Sequence, residues 1–389
     1  QVVRGFIRSL KPKSKGKSLK IRDYQVEAVQ LAISRNRGLL VSPTASGKSL
    51  VIYALTRYYQ MSGEKILILV PTTSLVEQMS SDFEDYGWYG NVQKIYQGYT
   101  TKIEKDVVIS TWQSIYKMPK KYFESFGCVI GDEAHLFKAK SLTGIMTKLH
   151  QCKYRFGLTG TLDGTQTHQL VLEGLFGGVD TVVTTKELMD KKTLANLKIK
   201  CVVLKHPPIR EKMTYAEEIE YLVTNSARNQ FIIDLCRNIS GNTLCLFQLV
   251  EKHGKILHEE ISSIAKNRKV FFVYGGVDSL EREKIREIVE NEKDAIIIAS
   301  FGTFSTGINI RNLHNIVFAS PSKSKIRVLQ SIGRGLRATK GKMGVLVFDI
   351  ADDISYRERR NFTLNHFSER INIYNEQEFN YEISKVKLK

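Results

Sequence analysis

The chain has 389 residues, enough for two or three domains, and no apolar run approaches the roughly 18 residues that a membrane span requires. Its basic opening lacks the apolar stretch of a secretory leader. Its five cysteines are scattered without a C-x-x-C pair, so neither a disulfide framework nor a zinc site is expected and a reduced, cytoplasmic setting is the default. The net charge of +18 points to a polyanionic partner, nucleic acid first.

Residues 1–20 carry seven cations and no acid: Arg4, Arg8, Lys11, Lys13, Lys15, Lys17 and Lys20. The run KPKSKGKS predicts a flexible basic linker. Without those seven charges the remainder still carries +11, so the basicity belongs to the folded body as well. The chain opens on Gln1 and not on Met, which leaves room for native residues upstream. From residue 21 helical and strand patterns alternate. RDYQVEAVQLAI has a helical period, GLLVS (38–42) is a strand, and a helix follows over 48–59. ILILV (66–70) is a second strand, with a helix starting at residue 73. Short apolar runs at 107–110, 128–130 and 155–158 add three more strands. Continuous apolar strands between helices predict a parallel sheet covered on both faces, here a first α/β lobe over residues 21–183.

A connector is expected over 184–210, containing the strand IKCVVL and closing on Pro207-Pro208. The alternation then restarts. Strands are predicted at 244–247, 270–273, 295–299, 315–319 and 345–349, giving a second α/β lobe over 211–389 with a closing helical tail at 355–374. No internal repeat of fixed period is present.

SPTASGKS (42–49) lies between an apolar strand and a helix, in the G-x-x-x-x-G-K-S/T register with Ser42 in the first Gly position. Such a turn wraps phosphate with the backbone of Pro43, Thr44, Ala45, Ser46 and Gly47 at a helix N-terminus. Lys48 reaches the β- and γ-phosphates of ATP, and Ser49 offers its hydroxyl to Mg²⁺. CVIGDEAH (128–135) places two acids at the end of an apolar strand, where open parallel sheets bind ligands. There Asp132 is a metal ligand, and Glu133 orients or deprotonates the attacking water. QSIGRGLR (330–337) puts Arg334 and Arg337 three apart, on one face if both are helical, where guanidinium groups can neutralise the charge of phosphoryl transfer.

These motifs, in this order over about 320 residues, resemble those of superfamily 2 helicases of the DEAH type, with greatest similarity to phage recombination helicases and their relatives among restriction motors. RDYQ carries Arg22 and Gln25, which by resemblance read adenine. PTTSLVEQ with Pro71 and Thr72, and STWQS with Thr111, Trp112 and Gln113, resemble the elements that touch the nucleic-acid backbone. LTGT, with Thr159 and Thr161, resembles the coupling motif, Gly160 standing for the usual Ala, and His135 joins it in coupling the lobes. SFGTFSTGINI supplies Ser300 to the nucleic acid and Gly307 and Asn309 to ATP, with Asn309 where the family has Asp. Gln330, Arg334 and Arg337 complete the second-lobe catalytic motif.

The resemblance implies two RecA-like lobes that bind ATP and Mg²⁺ between them and step along DNA. It also implies branched substrates (Holliday junctions, forks, D-loops and R-loops carrying RNA), a role in recombination, repair and replication, and a monomer. Three alternatives stay open on the residues alone: a duplex translocase that does not separate strands, an RNA-directed helicase, and a DNA-binding protein without ATPase. Intact Lys48, Asp132, Glu133 and Arg337 weigh against the last. Trp112 can stack on a base or pack in the core, and the roles of Phe301 and Phe304 stay open.

Overall fold

The computed structural model describes residues 2–90, 92–137, 139–307, 310–337 and 344–388. The chain divides into two compact units, residues 1–184 and 185–389.

In the first unit the run ILILV is buried at every position. Five consecutive buried residues must pair their backbone within a sheet and find side-chain cover on both faces. A short hairpin, β1 (Lys13–Ser14) and β2 (Lys17–Ser18), precedes that sheet. Its seven strands are β3 (Arg37–Val41), β4 (Ile66–Val70), β5 (Val92–Ile95), β6 (Val107–Thr111), β7 (Cys128–Asp132), β8 (Tyr154–Thr159) and β9 (Val179–Thr181). They are parallel, in the order β5-β6-β4-β7-β8-β3-β9. Alternate side chains feed two cores. Leu40, Ile66, Ile68 and Val70 join one cluster with the helices Asp23–Arg35, Lys48–Met61 and Thr73–Asp85. Leu39, Leu67, Leu69 and Val129 join the other with Lys140–Lys148 and Gln166–Phe176.

Residues 1–20 are not a linker. Val2–Ser9 is a helix, Ile7 is 1% exposed, and Val3, Phe6, Leu10 and Leu19 pack on the first cluster. The Phe6 ring lies 5.3 Å from that of Tyr58. Positions 3, 6, 7 and 10 form an apolar helical stripe that the cations between them disguise.

The second sheet also has seven parallel strands: β10 (Asn196–Lys205), β11 (Thr243–Phe247), β12 (Val270–Val273), β13 (Ile296–Ser300), β14 (Asn315–Phe318), β15 (Gly344–Asp353) and β16 (Tyr381–Lys387). Their order is β12-β13-β11-β14-β15-β10-β16. The expected connector 184–210 is therefore mostly part of this unit: β10 is an inner strand, and the division falls at residues 184 and 185. The closing helix is present as Phe362–Glu376, but the chain continues into β16, an exposed edge strand bearing Lys and Glu.

Two buried ion pairs hold the segment that leads into the helix Lys325–Gly335. Arg370 donates to Asp349 from Nε at 2.8 Å and Nη2 at 2.8 Å, Tyr374 Oη donates to Asp349 at 2.7 Å, and Arg370 Nη1 reaches the Ser322 carbonyl at 3.4 Å. Arg228 donates to Asp352 at 2.8 Å and to the Ala319 carbonyl at 2.7 Å. Arg370→Ala strands the Asp349 carboxylate in the core, at an expected cost of about 3–5 kcal/mol. Urea unfolding checks it, and the double change Asp349→Leu/Arg370→Met is expected to be the milder lesion because it leaves no buried charge.

Candidate functional site

The P-loop leaves β3 and enters the helix Lys48–Met61. Ala45 (φ 67°) and Gly47 (φ 83°) are both left-handed. Gly47 suits that conformation, and a Cβ there would lie 2.4 Å from Gln25 Nε2 and displace the end of that side chain. Ser42, in the place of the usual Gly, braces the turn: its hydroxyl donates to Ser46 Oγ at 2.7 Å and its N–H to the Thr159 carbonyl at 2.9 Å. Lys48 Nζ folds onto the Ser42 and Pro43 carbonyls at 3.2 and 3.4 Å. Gln25 and Arg22 serve the same turn. Gln25 Nε2 donates to the Ser46 carbonyl at 3.0 Å, and its Oε1 accepts from Arg22 N at 2.9 Å. Tyr24, which sequence reasoning passed over, donates to that Ser46 carbonyl at 2.6 Å and accepts from Arg22 at 2.9 Å. The Gln25 amide is thus committed to the loop backbone.

β7 delivers Asp132, 9% exposed, beside this loop. Burial first, then the neighbouring Glu133 charge, pushes the Asp132 carboxyl up to about 7, against the opposing pull of Lys48. Glu133 sits at φ 51°, a left-handed conformation that a non-glycine residue adopts only under constraint. The constraint aims its carboxylate back: Oε2 lies 3.4 Å from His135 Nδ1 and is buried without a hydrogen bond. His135 Nδ1 is 3.0 Å from Thr159 Oγ1, which donates to the Thr161 carbonyl at 2.9 Å. The predicted coupling residues therefore form one chain with Glu133. His168, also passed over, extends it through a 2.8 Å contact to the His135 carbonyl. A Cβ on Gly160 would meet Lys48 Nζ and Thr44 at no less than 3.6 Å, so the departure from Ala costs nothing in space.

The residues present suit a magnesium ion. Asp132 lies under the influence of the Lys48 ammonium and of the neighbouring Glu133 charge, and the buried Glu133 Oε2 has no hydrogen bond. Among the described residues no group of three or more His, Cys, Asp or Glu forms a cage. Ser49 Oγ is held 2.7 Å from Tyr86 Oη, a partner 37 residues away.

Pro71 and Thr72 follow β4, Thr111 ends its neighbour β6 and Trp112 and Gln113 follow it, so they share one stretch of the carboxyl edge. Thr72 accepts from Leu75 N at 3.3 Å as the cap of the helix Thr73–Asp85. Thr111 Oγ1 is 2.8 Å from Ser114 Oγ. Trp112 packs half-buried on the second core and Gln113 is exposed. The candidate residues thus fall on two halves of the edge, one at β3, β7 and β8 and the other at β4 and β6.

In the second unit Ser300 ends β13, and its hydroxyl donates to Thr303 Oγ1 at 2.8 Å, at the start of the helix Phe301–Gly307. Phe301 and Phe304 are core residues, 2% and 0% exposed. Gln330 and Arg334 lie on the helix Lys325–Gly335, with Arg334 Cζ 5.9 Å from the Phe304 ring centre. Arg337 is not on that helix. The helix ends at Gly335, and Arg337 forms an antiparallel bridge with Leu194, so the two arginines do not share a helical face. Gly307 ends its helix, and Asn309 lies outside the described residues.

Residues 18–164 match the family described as Type III restriction enzyme, res subunit, and residues 227–339 match the helicase conserved C-terminal domain. The ATP-dependent DNA helicase uvsW of Enterobacteria phage T4 is 37% identical, over 94% of this chain and 77% of that protein. The DNA 3'-5' translocase XPB2 of Sulfurisphaera tokodaii is 24% identical, over 85% of this chain and 81% of its own length. The structure of the ATP-dependent Type ISP restriction-modification enzyme LlaBIII bound to DNA shares the fold, with a TM-score of 0.72 at 16% identity over 96% of this chain and 32% of that one.

Proposed function

The chain belongs to the superfamily 2 helicases, in the family of uvsW, and on that premise we propose that it uses ATP to unwind or branch-migrate branched DNA. Its substrates on this reading are Holliday junctions, forks, D-loops and R-loops carrying RNA, handled by a monomer in the cytoplasm during recombination, repair and replication. No helix among the described residues is long and apolar enough to cross a membrane.

The observation that carries the reading is the chain from Glu133 through His135 to Thr159 and Thr161, set beside Asp132 and the P-loop lysine. Lys48 and the backbone of 43–47 bind the phosphates, and Ser49 and Asp132 would hold Mg²⁺. That ion, when bound, supplies charge neutralisation at the phosphates. Glu133 orients the attacking water. His135, Thr159 and Thr161 pass the state of this site to the nucleic-acid half of the edge. Gln25, with Arg22, reads the base once its amide turns from the Ser46 carbonyl that it holds. From the second unit Gln330, Arg334 and Arg337 act on the γ-phosphate, with Gly307 and Asn309 beside the nucleotide. Pro71, Thr72, Thr111, Trp112, Gln113 and Ser300 contact the nucleic acid, mostly at its backbone, which makes binding salt-sensitive and tolerant of sequence.

The match of residues 18–164 to a restriction-enzyme family favours one second reading, translocation on duplex without strand separation. ATP turnover with four-way junctions, linear duplex, single strands and RNA separates the readings. Greatest stimulation by junctions, with product strands released or the branch point moved, is the expected result. Equal stimulation by linear duplex with no strand released would establish the second reading, and stimulation by RNA alone would overturn both.

A further inference from the structure

In the second unit β10 and β15 are parallel neighbours paired from Asn196↔Gly344 to Lys205↔Asp353, so the segments that follow them leave the carboxyl edge side by side. Between them lies a cavity of about 210 Å³. Ile209, Met213, Ile354 and Phe362 give it apolar walls, and Lys212 and Arg360 stand among them.

The walls are fixed in place. Arg359 Nη2 donates to the carbonyls of Ile209, Arg210 and Glu211 at 2.7, 2.9 and 2.8 Å, tying one segment to the other. Asn361 Nδ2 donates to the Asp352 carbonyl at 3.0 Å, and its Oδ1 accepts from Ile354 N at 3.2 Å. Glu218, 2% exposed, accepts from Asn361 Nδ2, Phe362 N, Thr363 N and Thr363 Oγ1. That carboxylate is fully engaged at the start of the helix Phe362–Glu376 and offers nothing to a ligand. The cavity is preformed, as ligand sites commonly are.

What remains available is cationic and aromatic. Residues 209–213 and 354–362 hold five Arg or Lys against Glu211 and Glu358. Lys212 is exposed and forms no ion pair among the described residues, and Arg360 has only the Ser368 hydroxyl, at 3.0 Å. The Phe362 ring is 43% exposed, with Tyr215, 40% exposed, edge-on at 6.1 Å. An exposed ring at the mouth of an apolar cavity, flanked by cations without carboxylate partners, suits a nucleotide, which brings a π-face and a phosphate together. Along the same edge Ser300 is three strand positions away from β15, roughly 14 Å. A strand held at Ser300 could reach this cavity only with a second, separate contact.

We infer that this cavity receives one unstacked nucleotide of the bound nucleic acid, its base on Phe362 and its phosphate on Lys212 and Arg360. The inference rests on the nucleic-acid motor reading and adds to it a second grip on the second unit, of use where DNA presents more than one arm.

The test is fluorescence anisotropy of a labelled four-way DNA junction titrated with the protein over a range of salt. The variants are Phe362→Ala, Phe362→Tyr and the pair Lys212→Ala/Arg360→Ala, each with its melting curve. Phe362→Ala is expected to bind about tenfold more weakly with an unchanged salt slope, and Phe362→Tyr to restore binding. The paired variant is expected to flatten the log–log salt slope by about one to two units. Wild-type affinity and slope in both alanine variants, with normal melting, would overturn the inference. A labelled acidic peptide titrated in parallel gives the other overturning result: its binding lost in the alanine variants with junction binding intact would make the cavity a protein-docking site. Wild-type protein that bound no nucleic acid would instead overturn the motor reading, and the inference with it.

Discussion

Lys48→Ala is expected to reduce nucleic-acid-stimulated ATP hydrolysis by at least about 10²–10³-fold while leaving the fold and most DNA affinity in place. The ammonium group rests on the Ser42 and Pro43 carbonyls and opposes the rise in the Asp132 pKa. Its loss removes the cation that opposes the Asp132 charge, just where phosphates would bring further negative charge. The fold depends little on it, because the turn is braced independently by Ser42 on Ser46 and by Tyr24 and Gln25 on the Ser46 carbonyl. The proposed nucleic-acid contacts lie past β4 and β6, away from the P-loop strand β3. Steady-state turnover with saturating DNA, beside DNA affinity and circular dichroism, checks this. A folded variant with near wild-type turnover would remove Lys48 from the site.

Local pattern carried most of this architecture. Runs such as ILILV can be little other than inner parallel strands, and the P-loop and the two acids of DEAH announce themselves because the chemistry tolerates few substitutes at that spacing. The misreadings have a common cause: partners distant in sequence. The apolar stripe of Val3, Phe6, Ile7 and Leu10 means something only beside Tyr58 and the core it covers. IKCVVL reads as part of a connector because its partners, β15 and β16, lie about 150 and 180 residues onward. β16 itself, YEISKVK, alternates charge on an exposed edge and lacks the continuous apolar signal of its neighbours. Tyr86 is adjacent to Ser49 only through the fold. Arg337 was placed on a helix by its spacing from Arg334, whereas Gly335 ends that helix and a bridge to Leu194 takes Arg337 elsewhere.

That displacement sharpens the role proposed for Arg337. Its backbone is pinned by Leu194 and by the Ala195 N–H on the Leu336 carbonyl at 2.8 Å, while the segment entering the preceding helix is clamped by Arg228 and Arg370. A backbone fixed at this point, just past the helix Lys325–Gly335, suits a side chain proposed to make its contact most strongly in the transition state. Arg337→Ala is therefore expected to lower the hydrolysis rate by about 10³–10⁵-fold while ATP affinity falls much less. Arg337→Lys is not expected to rescue it, because a point charge cannot reproduce a planar fork of donors. The central claim is that the nucleotide bound by the first unit is hydrolysed with an arginine of the second. Single-turnover hydrolysis on a saturating four-way junction, with nucleotide affinity measured on the same protein, tests it most directly. The account predicts a collapsed rate with ATP and DNA still bound and the junction no longer remodelled. Normal single-turnover hydrolysis by Arg337→Ala would contradict it.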